Sequence, residues 1–177
     1  MKRSIFITGV AGSGKSSLAR ELQRRGYAAY DIEDIAGMFT MIHKETGEPY
    51  VEHTNNDLES VKQGDWICNR GMLAQLIQSQ TGDTAFYCGV ASNNDEIMPL
   101  FRDVVLIKVS SDTLLERLKS RKTDEFANTD EVREWVLSWK DWFEEDMAQK
   151  GAIVLDAEEE PVAVATRVLS SLNIGNQ

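Results

Sequence analysis

The chain has 177 residues, of which 42% are hydrophobic and 27% charged, a composition typical of one soluble globular domain. Its 29 acidic and 19 basic side chains leave a net charge of −10, which argues against nucleic acid and membrane partners. No apolar stretch is long enough for a bilayer span or resembles a signal peptide. We therefore expect one cytoplasmic domain over residues 1–177, a monomer or a homodimer, with Cys68 and Cys88 as ordinary buried thiols.

Short strand-forming segments alternate with helix-forming segments along the chain. Strands are predicted at 4–8, 27–30, 84–88, 104–109 and 153–155. Helices are predicted at 15–25, 57–62, 66–78 and from Thr129 or Asp130 to about 149. This alternation predicts an α/β fold with a parallel sheet covered by helices on both faces.

The last of these helices carries an aromatic stripe. Trp135, Trp139, Trp142 and Phe143 recur at helical spacing. The pattern favours packing against the core, although a partner surface would give the same spacing.

A phosphate-binding motif follows the first strand. The stretch 9–16 reads Gly-Val-Ala-Gly-Ser-Gly-Lys-Ser and matches G-x-x-x-x-G-K-S/T between a strand and a helix. Its glycines let backbone N–H groups surround a phosphate, Lys15 reaches the β- and γ-phosphates, and the Ser16 hydroxyl ligates Mg²⁺. We expect ATP to bind at Gly9, Ala11, Gly12, Ser13, Gly14, Lys15, Ser16 and Ser17.

Carboxylates follow the second predicted strand, at the sheet edge where parallel α/β folds bind ligands. Asp31 is predicted to hold a water bound to Mg²⁺ and to orient an attacking hydroxyl or accept its proton. Glu33 is predicted to contact the phosphoryl acceptor. Alternatively, Asp34 caps a helix over 35–41 and the other two carboxylates are solvated.

These motifs resemble those of small P-loop kinases, the group of shikimate, gluconate and nucleoside monophosphate kinases. The resemblance rests on the phosphate loop, on the D-x-E pair Asp31 and Glu33, and on a later strand followed by an arginine-bearing helix. A branch of kinase-like AAA ATPases is more similar still, through the stretches 25–27, 44–49 and 88–93. The resemblance implies a three-layer P-loop sandwich with a five-stranded parallel sheet in the order 2-3-1-4-5, an acceptor-binding insertion at about 34–80 and a lid at about 121–130.

Two arginines stand four residues apart on the helix after the fourth strand, so they share one face and favour a nearby anion. The resemblance places Arg117 near the adenine and gives Arg121 a catalytic role at the phosphates. Alternatively, neighbouring carboxylates neutralise both arginines on a solvated face.

The segment that contacts the acceptor in shikimate kinases matches 88–91 here. It keeps one glycine of three, Gly89, and the Phe-Arg-x-x-Glu segment of those enzymes is missing from the insertion. The resemblance therefore argues against shikimate as the acceptor.

Charge in the region 31–100 bears on the acceptor. That region holds twelve acidic residues but only Lys44, Lys62 and Arg70 as cations. An anionic acceptor needs arginine forks, and only Arg70 is available there. We therefore expect an ATP- and Mg²⁺-dependent kinase with a neutral acceptor such as a nucleoside or sugar. A nucleoside monophosphate kinase, using Arg70 with the lid arginines, and a P-loop NTPase switch without a small-molecule acceptor are the alternatives.

Overall fold

A computed structural model describes residues 2–122 and 124–175. The strands are β1 (Arg3–Thr8), β2 (Ala28–Asp31), β3 (Phe39–His43), β4 (Gly64–Cys68), β5 (Thr84–Cys88), β6 (Asp103–Lys108) and β7 (Ile153–Asp156). The helices are α1 (Lys15–Arg24), α2 (Leu58–Gln63), α3 (Arg70–Gln78), α4 (Asn94–Ile97), α5 (Ser111–Lys119), α6 (Asp130–Gln149) and α7 (Pro161–Ser171). None of the helices in the described ranges is both long and apolar enough to cross a membrane.

Five strands form a parallel sheet in the order β2-β5-β1-β6-β7. Counted among themselves, these strands follow the order 2-3-1-4-5, which confirms the predicted topology. The central strand β1 pairs with β5 through Ile5 and Phe86 and with β6 through Ile7 and Val105. The carboxyl ends of β1, β2 and β5 therefore lie together at one edge of the sheet.

Side chains of β1 alternate between two hydrophobic cores because successive residues of a strand face opposite sides. Ile5 and Ile7 lie in a core that also contains Leu22 of α1 and Val136 of α6. Phe6 lies in a second core, with Ile32, Leu73 and Tyr87. Helices thus cover both faces of the sheet, as the alternation of segments predicted.

The insertion between β2 and β5 differs from the prediction. Its strands β3 and β4 form an antiparallel pair, with Met41 opposite Trp66. Residues 35–41 therefore do not form a helix, and the helix predicted from residue 66 begins only at Arg70. The Asn69 side chain caps that helix by accepting a hydrogen bond from the Met72 N–H (3.0 Å), which fixes its first turn.

Helix α6 has the predicted extent, but only part of its aromatic stripe is buried. Its fully buried side chains include Val132, Val136 and Met147, whereas Trp142 is 66% exposed. Phe143 lies in the core, and Trp135 and Trp139 are only partly buried against it. The prediction that the whole aromatic stripe is core is therefore wrong for Trp142.

Candidate functional site

The phosphate loop lies between β1 and α1. Gly14 is the N-cap of α1 with φ 104°, a left-handed conformation that disfavours a side chain. At Gly9 a Cβ atom would lie 2.4 Å from the carbonyl oxygen of Ile107 in β6, so the loop can approach that strand only without a side chain. These two positions give the loop its path and direct the N-terminus of α1 at the site where a phosphate would bind.

Lys15 is buried beneath this loop. Its Nζ donates hydrogen bonds to the carbonyl oxygens of Gly9 (2.7 Å) and Val10 (3.2 Å). Burial lowers the pKa of the Lys15 amine, and the negative charges of Glu33 and Asp31 oppose that effect. The lysine is thus held at the loop by backbone carbonyls and by the electrostatic field of the nearby carboxylates.

A cavity of about 1210 Å³ opens over the loop. It brings together most of the residues that the sequence predicted for ATP, Mg²⁺ and catalysis. These lining residues are Ala11, Gly12, Ser13, Gly14, Lys15, Ser16, Ser17, Asp31, Glu33, Arg117 and Arg121. Gly9 is outside the lining and contributes through its carbonyl contact with Lys15.

Asp31 and Glu33 differ in their surroundings. Asp31 is the last residue of β2, paired in register with Cys88, and within the described chain its carboxylate has no hydrogen-bond or ion-pair partner. The Glu33 carboxylate accepts hydrogen bonds from the Val90 N–H (3.0 Å) and from the Trp66 indole N–H (3.2 Å). Asp31 is therefore available to a ligand, whereas Glu33 joins the hairpin β3–β4 to the loop after β5.

Arg117 joins the phosphate loop to the loop after β7. Its guanidinium donates to the carbonyl oxygens of Ser13 (3.2 Å) and Ala157 (3.1 Å). The next residue, Glu158, accepts hydrogen bonds from Thr113 and from the Ser110 N–H, and these bonds lower the pKa of its carboxyl group. Arg117 thus lies on the cavity wall beside the loop, where the sequence predicted nucleotide contact.

Arg121 lies at the start of the predicted lid, in which Thr123 is outside the described residues. Its Nη1 donates to the carbonyl oxygen of Phe126 (2.8 Å). Burial lowers the pKa of Arg121, and the charges of Glu125 and Glu33 oppose that effect. The guanidinium is therefore held in the cavity by a backbone carbonyl and has further N–H groups for an anion.

The rest of the cavity is walled by the insertion and by α6. Aromatic side chains of α6 form part of this wall, and Trp135 and Trp139 meet edge to face with ring centroids 5.7 Å apart. The further lining residues of this part include Met41, Lys44, His53, Asn55, Asp65, Trp66 and Phe126. Most of this lining was not predicted, because no local motif marks the strands and loops of the insertion as a cavity wall, and in α6 helical spacing marks a buried face and a cavity wall alike.

Two predicted acceptor residues lie elsewhere. In the described structure Arg70 is outside the cavity lining, and its Nε donates to the carbonyl oxygen of Glu96 (3.1 Å). Its position as the first residue of α3, behind the Asn69 cap, directs it there. Gly89 is also outside the lining, and a Cβ atom on it would lie 2.6 Å from Ile32 Cγ1, so it permits close packing beneath Glu33.

Both cysteines are buried thiols, as the sequence predicted. Burial raises the pKa of Cys68 to about 11 and also raises that of Cys88. Within residues 2–122 and 124–175, no group of three or more His, Cys, Asp or Glu side chains is placed to hold a metal ion.

Comparison with known proteins agrees with this geometry. A family model described as an AAA domain matches residues 5–136. The chain belongs to this AAA domain family. No curated protein sequence matches the chain.

Solved structures with a similar fold cover nearly the whole of this AAA domain protein. TT1252 from Thermus thermophilus has a TM-score of 0.63 at 18% identity, covering 98% of this chain and 99% of its own. Shikimate kinase from Acinetobacter baumannii in complex with shikimate has a TM-score of 0.63 at 15% sequence identity, covering 98% of this chain and 94% of its own. Deoxyadenosine kinase from M. mycoides with bound dATP has a TM-score of 0.58 at 17% sequence identity, covering 97% of this chain and 99% of its own. At these identities the likeness establishes the shared P-loop kinase fold.

Proposed function

We propose that this protein is a Mg²⁺-dependent phosphotransferase that moves the γ-phosphoryl group of ATP to a hydroxyl of a small molecule without negative charge. The observation that carries the proposal is the composition of the cavity. One continuous space holds Lys15 and Ser16 of the phosphate loop, the Asp31 carboxylate, which has no hydrogen-bond or ion-pair partner among the described residues, and aromatic side chains of α6 beyond them. Phosphoryl transfer needs a phosphate site and an acceptor site in such direct contact.

The side-chain oxygens that line the cavity suit a nucleotide bound with Mg²⁺. The Ser16 hydroxyl and the Asp31 carboxylate both line the cavity, and Mg²⁺ is usually held by one or two protein oxygens together with phosphate oxygens and water. Ser16 would ligate the ion and Asp31 would hold one of its waters. Bound there, Mg²⁺ would neutralise charge on the transferring phosphoryl group.

Three side chains have roles in the transfer itself. Asp31 orients the acceptor hydroxyl and accepts its proton, because no group of residues 2–122 and 124–175 pairs with its carboxylate at the end of β2. Lys15 and Arg121 stabilise the charge that develops on the phosphoryl oxygens and the leaving ADP. Glu33 acts on these two cations through its charge and on Trp66 through a hydrogen bond.

The acceptor part of the cavity favours a neutral compound. Three carboxylates line this part, those of Asp31, Asp34 and Asp65. Among the described residues, Lys44 is the one cationic side chain that the insertion contributes to the lining, and its Nζ lies 4.0 Å from the Asp65 carboxylate. Arg70, which a monophosphate acceptor would use together with the lid arginines, donates instead to the carbonyl oxygen of Glu96 outside the cavity lining. Carboxylates can accept hydrogen bonds from hydroxyl groups, and indole rings can pack against the flat face of a sugar or a nucleobase.

One observation favours a second function, an NTPase switch that acts through a partner. Trp142 lines the rim of the cavity and is 66% exposed, so a bound nucleotide and a partner could meet at the same side of α6. The two functions differ in turnover. A kinase consumes ATP rapidly only with its acceptor present, whereas a switch hydrolyses ATP slowly on its own.

A ligand screen tests the proposal. Thermal unfolding is measured with a non-hydrolysable ATP analogue and Mg²⁺, alone and with each member of a panel of nucleosides, sugars, nucleoside monophosphates and carboxylated acids. We expect added stabilisation from a neutral hydroxyl compound in the presence of the analogue. Stabilisation by monophosphates alone would favour the nucleoside monophosphate kinase, and no response to the analogue would contradict nucleotide binding.

A further inference from the structure

Asn56, in the acceptor insertion, joins that insertion to the segment 125–129. Its side-chain Nδ2 donates to the carbonyl oxygen of Glu125 (2.8 Å), and its Oδ1 accepts from the Asn128 N–H (2.6 Å). Its backbone carbonyl accepts from the Thr129 hydroxyl (3.1 Å). One residue thus contacts both ends of a five-residue segment that lies about seventy positions later in the sequence.

The side-chain amide is essential to this arrangement. It provides a donor and an acceptor on a short side chain, and both are used here. Aspartate could accept from Asn128 but could not donate to Glu125, and alanine could do neither.

The segment is also held from its other side. Ala127 is fully buried and has φ 64°, a conformation that a residue with a Cβ atom adopts only when its surroundings impose it. The Arg133 guanidinium donates to the carbonyl oxygen of Asn128 (2.7 Å), and the Ala127 N–H donates to the carbonyl oxygen of Asn55 (3.5 Å). The backbone of 125–129 is therefore fixed between the insertion and α6.

Arg121 depends on this segment for its position. Within the described chain its guanidinium makes one hydrogen bond, to the carbonyl oxygen of Phe126, which lies between the two residues that the Asn56 amide contacts. A shift of the segment would move that carbonyl and the guanidinium bonded to it. Asn55, the neighbour of Asn56, itself lines the cavity.

We infer that Asn56 is a positioning residue: by fixing 125–129 against the acceptor insertion, it holds the Arg121 guanidinium beside the phosphate loop. The inference rests on the proposed function only for the role of Arg121 in catalysis. The contact itself is independent of that role and has its own measurement.

The test compares Asn56→Ala with Asn128→Ala in the full chain. Asn128 is a matched control because only its backbone groups are bonded in the described structure. Hydrogen exchange is followed at the amides of 125–129, and ATP hydrolysis, with water in place of the acceptor, is measured over a range of Mg-ATP concentrations up to saturation. For Asn56→Ala we expect faster exchange at 125–129, a kcat lower by roughly fivefold and a nearly unchanged KM for ATP. Asn128→Ala should match the wild type in both assays.

A double-variant cycle with Arg121→Ala separates positioning from general destabilisation. Because Asn56 acts through Arg121, adding Asn56→Ala to Arg121→Ala should lower kcat no further. Asn56→Asp should fall between wild type and alanine, since it keeps one of the two side-chain bonds. Unchanged exchange at 125–129 in Asn56→Ala, or losses that simply add in the double variant, would overturn the inference. If the wild type neither hydrolyses nor transfers phosphate, the proposed function fails, and the exchange measurement alone decides whether Asn56 fixes the segment.

Discussion

Replacing Lys15 with alanine is expected to weaken ATP binding far more than it weakens the fold. The ammonium group would bond to phosphate oxygens, and a hydrogen bond to a charged group contributes about 1.5–3 kcal/mol. On binding, the lysine exchanges its bonds to Gly9 and Val10 for bonds to phosphate, so the lower part of that range applies. We expect the Kd of Mg-ATP to rise roughly 10- to 30-fold.

The fold should tolerate this change. The variant loses two hydrogen bonds to loop carbonyls but no longer buries an amine whose pKa burial already lowers. We expect a melting temperature within a few degrees of the wild type, on the usual scale of about 4 °C per kcal/mol or less for a chain of this size.

Isothermal titration calorimetry with a non-hydrolysable ATP analogue gives the affinity, and thermal unfolding without nucleotide gives the stability. Arg20→Ala is the control, because Arg20 lies on the exposed side of the same helix and, among the described residues, its guanidinium donates a hydrogen bond only to the Ser17 hydroxyl. It removes the same charge and should leave Kd nearly unchanged. Equal affinity in Lys15→Ala and wild type would refute the assignment of the phosphate loop.

Three further predictions concern Asp31 as the proton acceptor, Arg121 as a cation at the phosphates, and the pH dependence of the stability that Glu21 contributes. Asp31→Asn should keep analogue affinity in calorimetry but lower the transfer rate about 100-fold or more, because an amide cannot accept the proton; wild-type turnover would remove Asp31 from the mechanism. Arg121→Ala should lower kcat more than it raises the KM for ATP in steady-state assays; a change in melting temperature alone would make the arginine structural. Hydrogen bonds from Arg24 and Arg25 lower the pKa of Glu21 to about 2, below its ordinary 4.5. The ion pairs of Glu21 with the two arginines stabilise the fold fully above pH 4.5 and less as pH falls toward 2. The difference in melting temperature between wild type and Glu21→Gln should therefore shrink over that interval. A deficit that does not change with pH would contradict the ion-pair explanation.

The phosphate loop and the main sheet could be predicted because their signals are local. The motif 9–16 specifies a strand, a loop and a helix in consecutive residues, and Thr84–Cys88 is bounded as a strand by its own neighbours. The sheet order followed from the resemblance to P-loop kinases and is confirmed by the pairing of β1 with β5 and β6.

The hairpin of the insertion could not be predicted in the same way. Phe39–His43 pairs with Gly64–Cys68 across about twenty intervening residues, and neither segment shows a clear two-residue alternation. Trp66 and Ile67 fit a helix that runs on to residue 78 equally well. Only the capping role of Asn69 separates strand from helix, and asparagine is a cap signal that the sequence analysis did not use.

In the candidate site, the partners and directions of individual side chains also could not be predicted from the sequence. Asp31 and Glu33 both line the cavity, but β2 ends at Asp31 and Glu33 lies in the 3₁₀ helix Ile32–Asp34, so strand spacing does not place the second carboxylate. Only the structure distinguishes the Asp31 carboxylate, which has no hydrogen-bond partner among the described residues, from the Glu33 carboxylate, which is bonded to Trp66 and Val90. Arg70 was assigned to the acceptor because it is the one arginine of the insertion. Its direction depends on where α3 begins, which composition does not determine.

The most direct test of the account is phosphoryl transfer to a defined acceptor. ADP release is measured at saturating Mg-ATP with nucleosides and sugars in one series, and with nucleoside monophosphates and carboxylated acids in another. Lys15→Ala in parallel assays shows which ADP release arises at this site. The account predicts transfer to at least one neutral hydroxyl compound, well above the rate with water and lost in Lys15→Ala. Efficient transfer to a monophosphate and none to any neutral compound would contradict it.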